Sequence, residues 1–331
     1  MCFLEVYLAT YSGASGVSGI PMKLEYQVLN ARNRIIKAAL VWNGKEFDGP
    51  LEIHVDLHGI ITKVGKSIAK TDDVIVDLGN KAAVTQRFLA LLPGFINAHS
   101  RAFHKQMRGR SQIGAPEGKW SHDMYSMIMI SYISIQPYLL ETFKEMISAG
   151  ITTVGEFYYI HHQGTDRFKL DKVVMDAAKD AGVRIVLIDT LYYRGGFDNQ
   201  LLTNAQKKFL CHFEDFVKMS IFLTTAVIIH KKLLLQEIKD CQDINKCRPS
   251  DLLLNYMVPT NANIIAVHCS FTTSNNMKAF VRSSVSVCLT EVNYLGYLGN
   301  GIPNIADDSK ICIGTDCNNR ISILEEFTIS M

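Results

Sequence analysis

The 331-residue chain contains no CxxC pair, and no apolar run nears the roughly 20 residues a membrane helix needs. No G-x-G-x-x-G or P-loop pattern follows any strand-like segment, which argues against a dinucleotide or nucleoside triphosphate site. The nearest glycine cluster, GYLGNG at 296–301, lacks the P-loop lysine and reads as a turn. Charge of one sign is also missing: 34 basic against 32 acidic residues leave a net charge of +2. A nucleic acid or an anionic membrane is therefore not an expected partner. Eight prolines and 22 glycines form no linker-like cluster, and a 48% hydrophobic composition excludes disordered or collagen-like chains. The eight cysteines (Cys2, Cys211, Cys241, Cys247, Cys269, Cys288, Cys312 and Cys317) read as reduced, mostly buried thiols. The opening MCFLEVYLATYSGASG lacks a basic leader and carries Glu5 within its apolar run, so it does not read as a secretory signal. The expected setting is cytoplasmic, with a small-molecule substrate and a homodimer left open.

Two textures divide what is present. From about Tyr26 to Gln86 the pattern is that of strands punctuated by Gly and Asn-Gly. Leu51, Ile53, Val55 and Leu57 alternate with Glu52, His54, Asp56 and His58, the period of a half-buried antiparallel strand. His54 and His58 then belong to the solvent face rather than to a metal. After Pro93 strands and helices alternate. The strands are FINAH, ITTVGEFY, VRIVLIDT, IFLTTAVIIH, NIIAVH, VSVCL and KICIGTD; helices are expected at YLLETFKEMISAG, FKLDKVVMDAAKDAG, NAQKKFLCHFEDFVKM, LLLQEIKDCQDI and NNMKAFVRSS. Repeated βα units predict an α/β fold with a parallel sheet, here a distorted and incomplete (β/α)8 TIM-type barrel. The expected domains are 1–93, a small β-sandwich-like unit whose residues 1–21 need be neither native nor ordered, and 94–331, the barrel.

Parallel barrels carry their chemistry at the C-terminal ends of the strands. The polar residues that end these apolar runs are His99, Glu156 with Tyr158 and Tyr159, Asp189, His230, His268 and Asp316. Imidazole and carboxylate are the preferred donors for Zn2+ and similar ions. One such histidine is usually a satisfied buried polar group. Three histidines with an aspartate on separate strands point to a metal.

These residues also carry a resemblance. LLPGFINAHSRAF resembles the first barrel strand of the amidohydrolase superfamily, and IGTD at 313–316 resembles its last. GEFYYIHHQ (155–163), LYYRGGF (191–197), QEIKDCQDINKCRPSDLLLN (236–255) and AVHCSFT (266–272) narrow the similarity to the formimidoylglutamate deiminase family. The resemblance implies one divalent ion, Zn2+ above all, held by His99, His230 and Asp316. It implies His268 and Asp316 as proton-handling groups, and Tyr159 and His104 as substrate contacts. The implied reaction is hydrolysis of N-formimidoyl-L-glutamate to N-formyl-L-glutamate and ammonia, a step of histidine degradation.

The chain departs from that pattern at several positions. Arg101 stands where a second ligating histidine belongs, and a guanidinium has no lone pair to offer a metal. Either it turns to solvent and three ligands remain, or metal affinity falls sharply; the charge favours the second reading. Leu233 stands where a proton-shuttling glutamate belongs, Tyr158 replaces a histidine, and a Trp-Arg segment is reduced to Lys119-Trp120-Ser121-His122. The stretch 218–230 is too short for another helix plus two strands, so the family's fourth-strand histidine and arginine have no counterpart there. Fifteen residues follow Asp316, so the barrel is expected to lack its C-terminal part. Two alternatives therefore stand beside a working deiminase. One is an impaired or truncated amidohydrolase relative, and the other is a guanine-deaminase-like or chlorohydrolase-like enzyme.

Overall fold

The computed structural model describes residues 7–10, 33–57, 60–78, 89–110, 135–160, 169–191, 201–212, 230–231, 248–258, 264–269, 272–290 and 303–330. The chain divides into two compact units, Met1–Gly94 and Phe95–Met331.

Among the described residues, eight strands build the first unit: β1 (Tyr7–Thr10), β2 (Arg34–Ala38), β3 (Leu40–Trp42), β4 (Phe47–Asp48), β5 (Leu51–Val55), β6 (Ile61–Gly65), β7 (Val74–Asp77) and β8 (Leu89–Leu92). They form two four-stranded sheets, ordered β1-β8-β3-β4 and β6-β5-β2-β7. Only Ala39 separates β2 from β3, so one segment serves both sheets. Their apolar faces share a core of Ile36, Ala38, Val41, Leu51, Ile53, Val55, Leu78 and Leu91. The alternation in β5 is as expected through Val55, but Leu57 is 56% exposed. The strand ends because Asp56 turns the chain: its amide donates to the Ile60 carbonyl at 2.9 Å, and its Oδ1 accepts from the Ile60 amide at 2.9 Å. His54 lies on the outer face and bonds Thr62 Oγ1 through Nδ1; His58 falls outside the described residues.

In the second unit the strands are β9 (Phe95–Ser100), β10 (Ile151–Tyr158), β11 (Arg184–Leu191), β12 (His230–Lys231), β13 (Ile265–Val267), β14 (Ser286–Leu289) and β15 (Lys310–Ile313). All pair in parallel, in the orders β12-β11-β10-β9 and β13-β14-β15. A parallel bridge between Ser100 and Asp316 joins the end of β9 to the turn after β15. The strands thus follow one another as in a βα barrel, but among the described residues no pairing joins β12 to β13 and the ring does not close. His230, which the resemblance matches to a fifth-strand histidine, lies in β12 directly beside β11, with no fourth strand between them among the described residues.

The helices α1 (Ile135–Ser148), α2 (Lys169–Ala181), α3 (Pro249–Leu252), α4 (Ser274–Arg282) and α5 (Ile323–Ser330) link or follow these strands. In α1 the buried residues Ile135, Leu139, Thr142, Phe143 and Met146 recur at the helical period. With Val174 and Ala177 of α2, the four apolar residues among them join Ile151, Val154 and Leu187 of the sheet in one core. Each fully buried Leu, Phe or Met there contributes about 1.5–3 kcal/mol before entropy is counted. Gly150 ends α1 at φ +84°, a conformation open to glycine at little cost, and β10 begins at once. The helix expected over NAQKKFLCHFEDFVKM is absent from its described part: residues 207–209 make one 3-10 turn and Leu210 is already extended. That turn drops Phe209 into full burial against Tyr159, ring centroids 5.1 Å apart. The helix expected over 233–244 lies outside the described residues. Among those residues no helix is long and apolar enough to cross a membrane.

Candidate metal and hydrolytic site

Three of the strand-end residues singled out by the sequence meet at the C-terminal ends of β9, β13 and β15. His99 is the fifth residue of β9, His268 directly follows β13, and Asp316 lies three residues past β15. All three are buried, and one donor atom from each lies within 4.8 Å of the others. His99 Nε2 is 3.3 Å from Asp316 Oδ1, and His268 Nε2 is 3.9 Å from Asp316 Oδ2. The two imidazoles meet edge-to-face with centroids 5.9 Å apart.

The backbone aims these groups. His268 and Asp316 take left-handed φ values of 70° and 40°, sparsely populated for residues with a side chain, which turns both inward as their strands end. His268 Nδ1 lies 2.8 Å from Thr290 Oγ1; with that nitrogen engaged, Nε2 faces the aspartate. Asp316 is clamped from both sides of its peptide: its amide donates to the His99 carbonyl at 2.9 Å, and its carbonyl accepts from the Arg101 amide at 2.7 Å. This approach needs Gly314, where a Cβ would stand 2.7 Å from the His99 carbonyl oxygen and 2.8 Å from His99 N and Cβ.

A buried polar clasp locks the same junction. Asn97 Nδ2 donates to Thr315 Oγ1 at 2.6 Å and Asn97 Oδ1 accepts from the Thr315 amide at 3.0 Å. Thr315 Oγ1 donates to Asn318 Oδ1 at 2.6 Å, and Asn318 Nδ2 donates to Ser100 Oγ at 3.0 Å. Sequence reasoning passed over Asn97, Ser100, Thr315 and Asn318. The available signal was an asparagine inside the apolar run FINAH and the polar string GTDCNN at the last strand end.

Arg101 does not turn to solvent. Its side chain is 14% exposed, Nη1 is 2.9 Å from Asp316 Oδ1, and the guanidinium lies 5.3 Å from the Phe157 ring centroid. Burial is the largest influence on His99, His268, Asp316 and Glu156, and the charge on Arg101 acts on each of them. Burial alone pushes the Asp316 carboxyl up, but Arg101, His99 and His268 outweigh it and hold it well below the usual carboxylate range. Burial pushes the His268 imidazole down to about 3 and lowers His99 as well, so both rings are neutral and keep a lone pair for a metal. Glu156, completely buried, is driven up to about 8 by loss of solvent, while Ser100, the Ala102 amide and Arg101 pull the other way. Its Oε1 accepts the Ala102 amide at 2.6 Å and so shapes the turn after β9.

The remaining sequence candidates separate into two groups. Tyr159 and His104 are buried and paired, with His104 Nε2 2.8 Å from Tyr159 Oη, inside an aromatic cluster with Phe103 and Phe209. The side chains of Asp189 and His230 fall outside the described ones, as does all of Leu233. Cys211, Cys269, Cys288 and Cys317 are buried free thiols and Cys312 is half-buried.

A divalent ion is the group that the resemblance to the amidohydrolase superfamily implies. Two neutral imidazole nitrogens and an ionised carboxylate within 4.8 Å of one another fit one. Arg101 cannot ligate it.

Residues 90–220 match the amidohydrolase family model. Formimidoylglutamate deiminase of Pseudomonas aeruginosa is 27% identical over 289 residues, covering 72% of this chain and 63% of that protein. This chain therefore spans less than two thirds of that relative's length. The 5'-deoxyadenosine deaminase of Methanobrevibacter smithii is 24% identical over 335 residues, covering 88% of this chain and 71% of that protein. An amidohydrolase from Brucella melitensis superposes with a TM-score of 0.71 at 21% identity, over 90% of this chain and 74% of its own. Atrazine chlorohydrolase from Arthrobacter aurescens TC1, a structure complexed with zinc, gives a TM-score of 0.65 at 17% identity, over 86% of this chain and 72% of its own. The strands that carry His99 and Glu156 lie within residues 90–220, the segment that matches the amidohydrolase family model.

Proposed function

We propose that the chain is a hydrolytic deiminase that converts N-formimidoyl-L-glutamate and water to N-formyl-L-glutamate and ammonia. The observation that carries this reading is the convergence of His99, His268 and Asp316 on one buried point in a chain whose sequence is similar to a formimidoylglutamate deiminase. His99 and Asp316 would hold a divalent ion, with His230 as a third ligand candidate from the sequence, while His268 beside them handles protons. When bound, that ion supplies a lowered water pKa and polarises the reacting C=N group.

The protein's own groups handle the protons. Asp316, kept ionised at neutral pH, accepts a proton from the attacking water at Oδ2. His268, neutral and 3.9 Å from that oxygen, is placed to relay the proton to the nitrogen that departs as ammonia. Thr290 holds the ring in the orientation this relay requires. Tyr159 and His104 are assigned to the substrate side, with the Tyr159 hydroxyl oriented by His104.

Similarity to 5'-deoxyadenosine deaminase over 88% of the chain favours a second reading, hydrolytic removal of an amino group from a purine. Ammonia release by the purified chain with added Zn2+ separates the two. Formimidoylglutamate is expected to be turned over at least ~10-fold faster, in kcat/KM, than guanine or an adenine nucleoside. A faster purine reaction would replace the first reading with the second, and no ammonia from any of them would remove both.

A further inference from the structure

The cation position of this site already has an occupant. Asp316 Oδ1 is the oxygen nearest to His99 Nε2, at 3.3 Å, and the one a shared metal would take; Arg101 Nη1 lies 2.9 Å from it. With Zn–O bonds of about 2.0–2.2 Å, an ion on Oδ1 would stand no more than about 5 Å from that guanidinium nitrogen. The site is charge-balanced as it stands, one buried carboxylate against one guanidinium. A dication would leave Asp316 serving three positive charges. The guanidinium cannot lose its proton at any ordinary pH, so acid or base does not relieve the conflict. Leaving is also opposed: the Arg101 amide is tied to the Asp316 carbonyl at 2.7 Å, and the side chain packs over Phe157.

We infer that Arg101 is a tethered counter-cation that competes with the metal for Asp316, so that a divalent ion enters only when the guanidinium leaves Oδ1. This rests on the hydrolytic reading for the identity of the metal site but not for the competition itself. Zn2+ binding to this chain is then weak, and it is set by the charge at position 101 rather than by the donor set.

The test is Zn2+ affinity of the full chain, stripped by a chelator and titrated against a chromophoric competitor at neutral pH. Arg101→Gln, which removes the charge, is expected to bind Zn2+ at least ~100-fold more tightly, the scale set by a unit charge a few ångströms from a dication. Arg101→His is expected to be tighter still, since it adds a donor. Arg101→Lys keeps the charge and is expected to stay within about threefold of the starting chain. Equal affinity of the starting chain and Arg101→Gln would overturn the inference, as would an Arg101→Lys variant as tight as Arg101→Gln. Should the Gln or His variant fail to fold, a nanomolar dissociation constant for Zn2+ in the unaltered chain is by itself sufficient to overturn it. If the variants gain Zn2+ and none releases ammonia from formimidoylglutamate, the deiminase reading falls and the competition stands. If the unaltered chain binds Zn2+ tightly and releases ammonia, the outcome is reversed.

Discussion

Gly314→Ala adds a single methyl group at the point where β15 meets β9. The new carbon would lie 2.7 Å from the His99 carbonyl oxygen and 2.8 Å from His99 N and Cβ, whereas ordinary contact begins near 3.4 Å. No rotamer change relieves this, because all three atoms belong to the backbone or its first substituent. The strands must separate, and the two hydrogen bonds that clamp Asp316 are lost. Two such bonds contribute about 1 kcal/mol each, and overpacking a tight site costs a further ~1–3 kcal/mol. The expected loss is therefore about 3–5 kcal/mol, against a total stability of only about 5–15 kcal/mol for a typical domain. Urea unfolding followed by far-UV circular dichroism measures the total, and hydrogen exchange at the Asp316 and Arg101 amides reads the junction itself. Gly65→Ala is the control, since its Cβ would meet only the Ile68 side chain at an ordinary 3.5 Å. A Gly314→Ala protein that unfolds within ~0.5 kcal/mol of the unaltered chain, with the Asp316 amide still protected, would refute the close approach of β9 and β15.

Three further outcomes follow from named contacts. Glu156 has a folded pKa of about 8, above the ordinary 4.5, so its contribution to stability is complete below about pH 4.5 and is lost as the pH rises through 8. Glu156→Gln removes a slope of about 1.4 kcal/mol per pH unit across that window; urea midpoints at pH 5 and pH 8 that fall in parallel for both proteins would contradict this. Tyr159→Phe deprives the buried His104 of its partner and is expected to cost ~1–3 kcal/mol, read from the same unfolding curves. Thr273→Ala removes the side-chain acceptor for the Asn276 amide at the start of α4, an expected loss of about 1 kcal/mol, and an unchanged midpoint would show that the cap is dispensable.

His99, His268 and Asp316 were legible because an apolar run that ends in a ligand-type residue means the same thing on every strand of a parallel sheet. The helices α1, α2 and α4 were legible from their apolar period. Arg101 was visible as a misfit, but its direction was not: that depends on Asp316, brought from the far end of the chain, and on the Phe157 ring beneath it. The 3-10 turn at Phe209 was misread as helix because an aromatic pocket, not local periodicity, decides where that side chain goes. Leu57 was misread because the Asp56 side chain ends the strand two residues earlier than the alternation suggests. The clasp of Asn97, Thr315 and Asn318 was missed because its halves make sense only once β9 and β15 are neighbours.

That neighbourhood also sets an order of events during folding. Asn97 and Thr315 are separated by 218 positions, so this junction closes nearly the longest loop in the second unit. Loop-closure entropy must be met before such a contact returns any stability, and contacts of large sequence separation form slowly. The helices α1 and α2 and the pairing of β9, β10 and β11 need none of it and can assemble while the chain is still being made. The His99–Asp316 pair, and with it any affinity for a metal, arises only after Asp316 has emerged and docked. A nascent chain that ends before Asp316 would carry β9, β10 and β11 without the chemistry of the site.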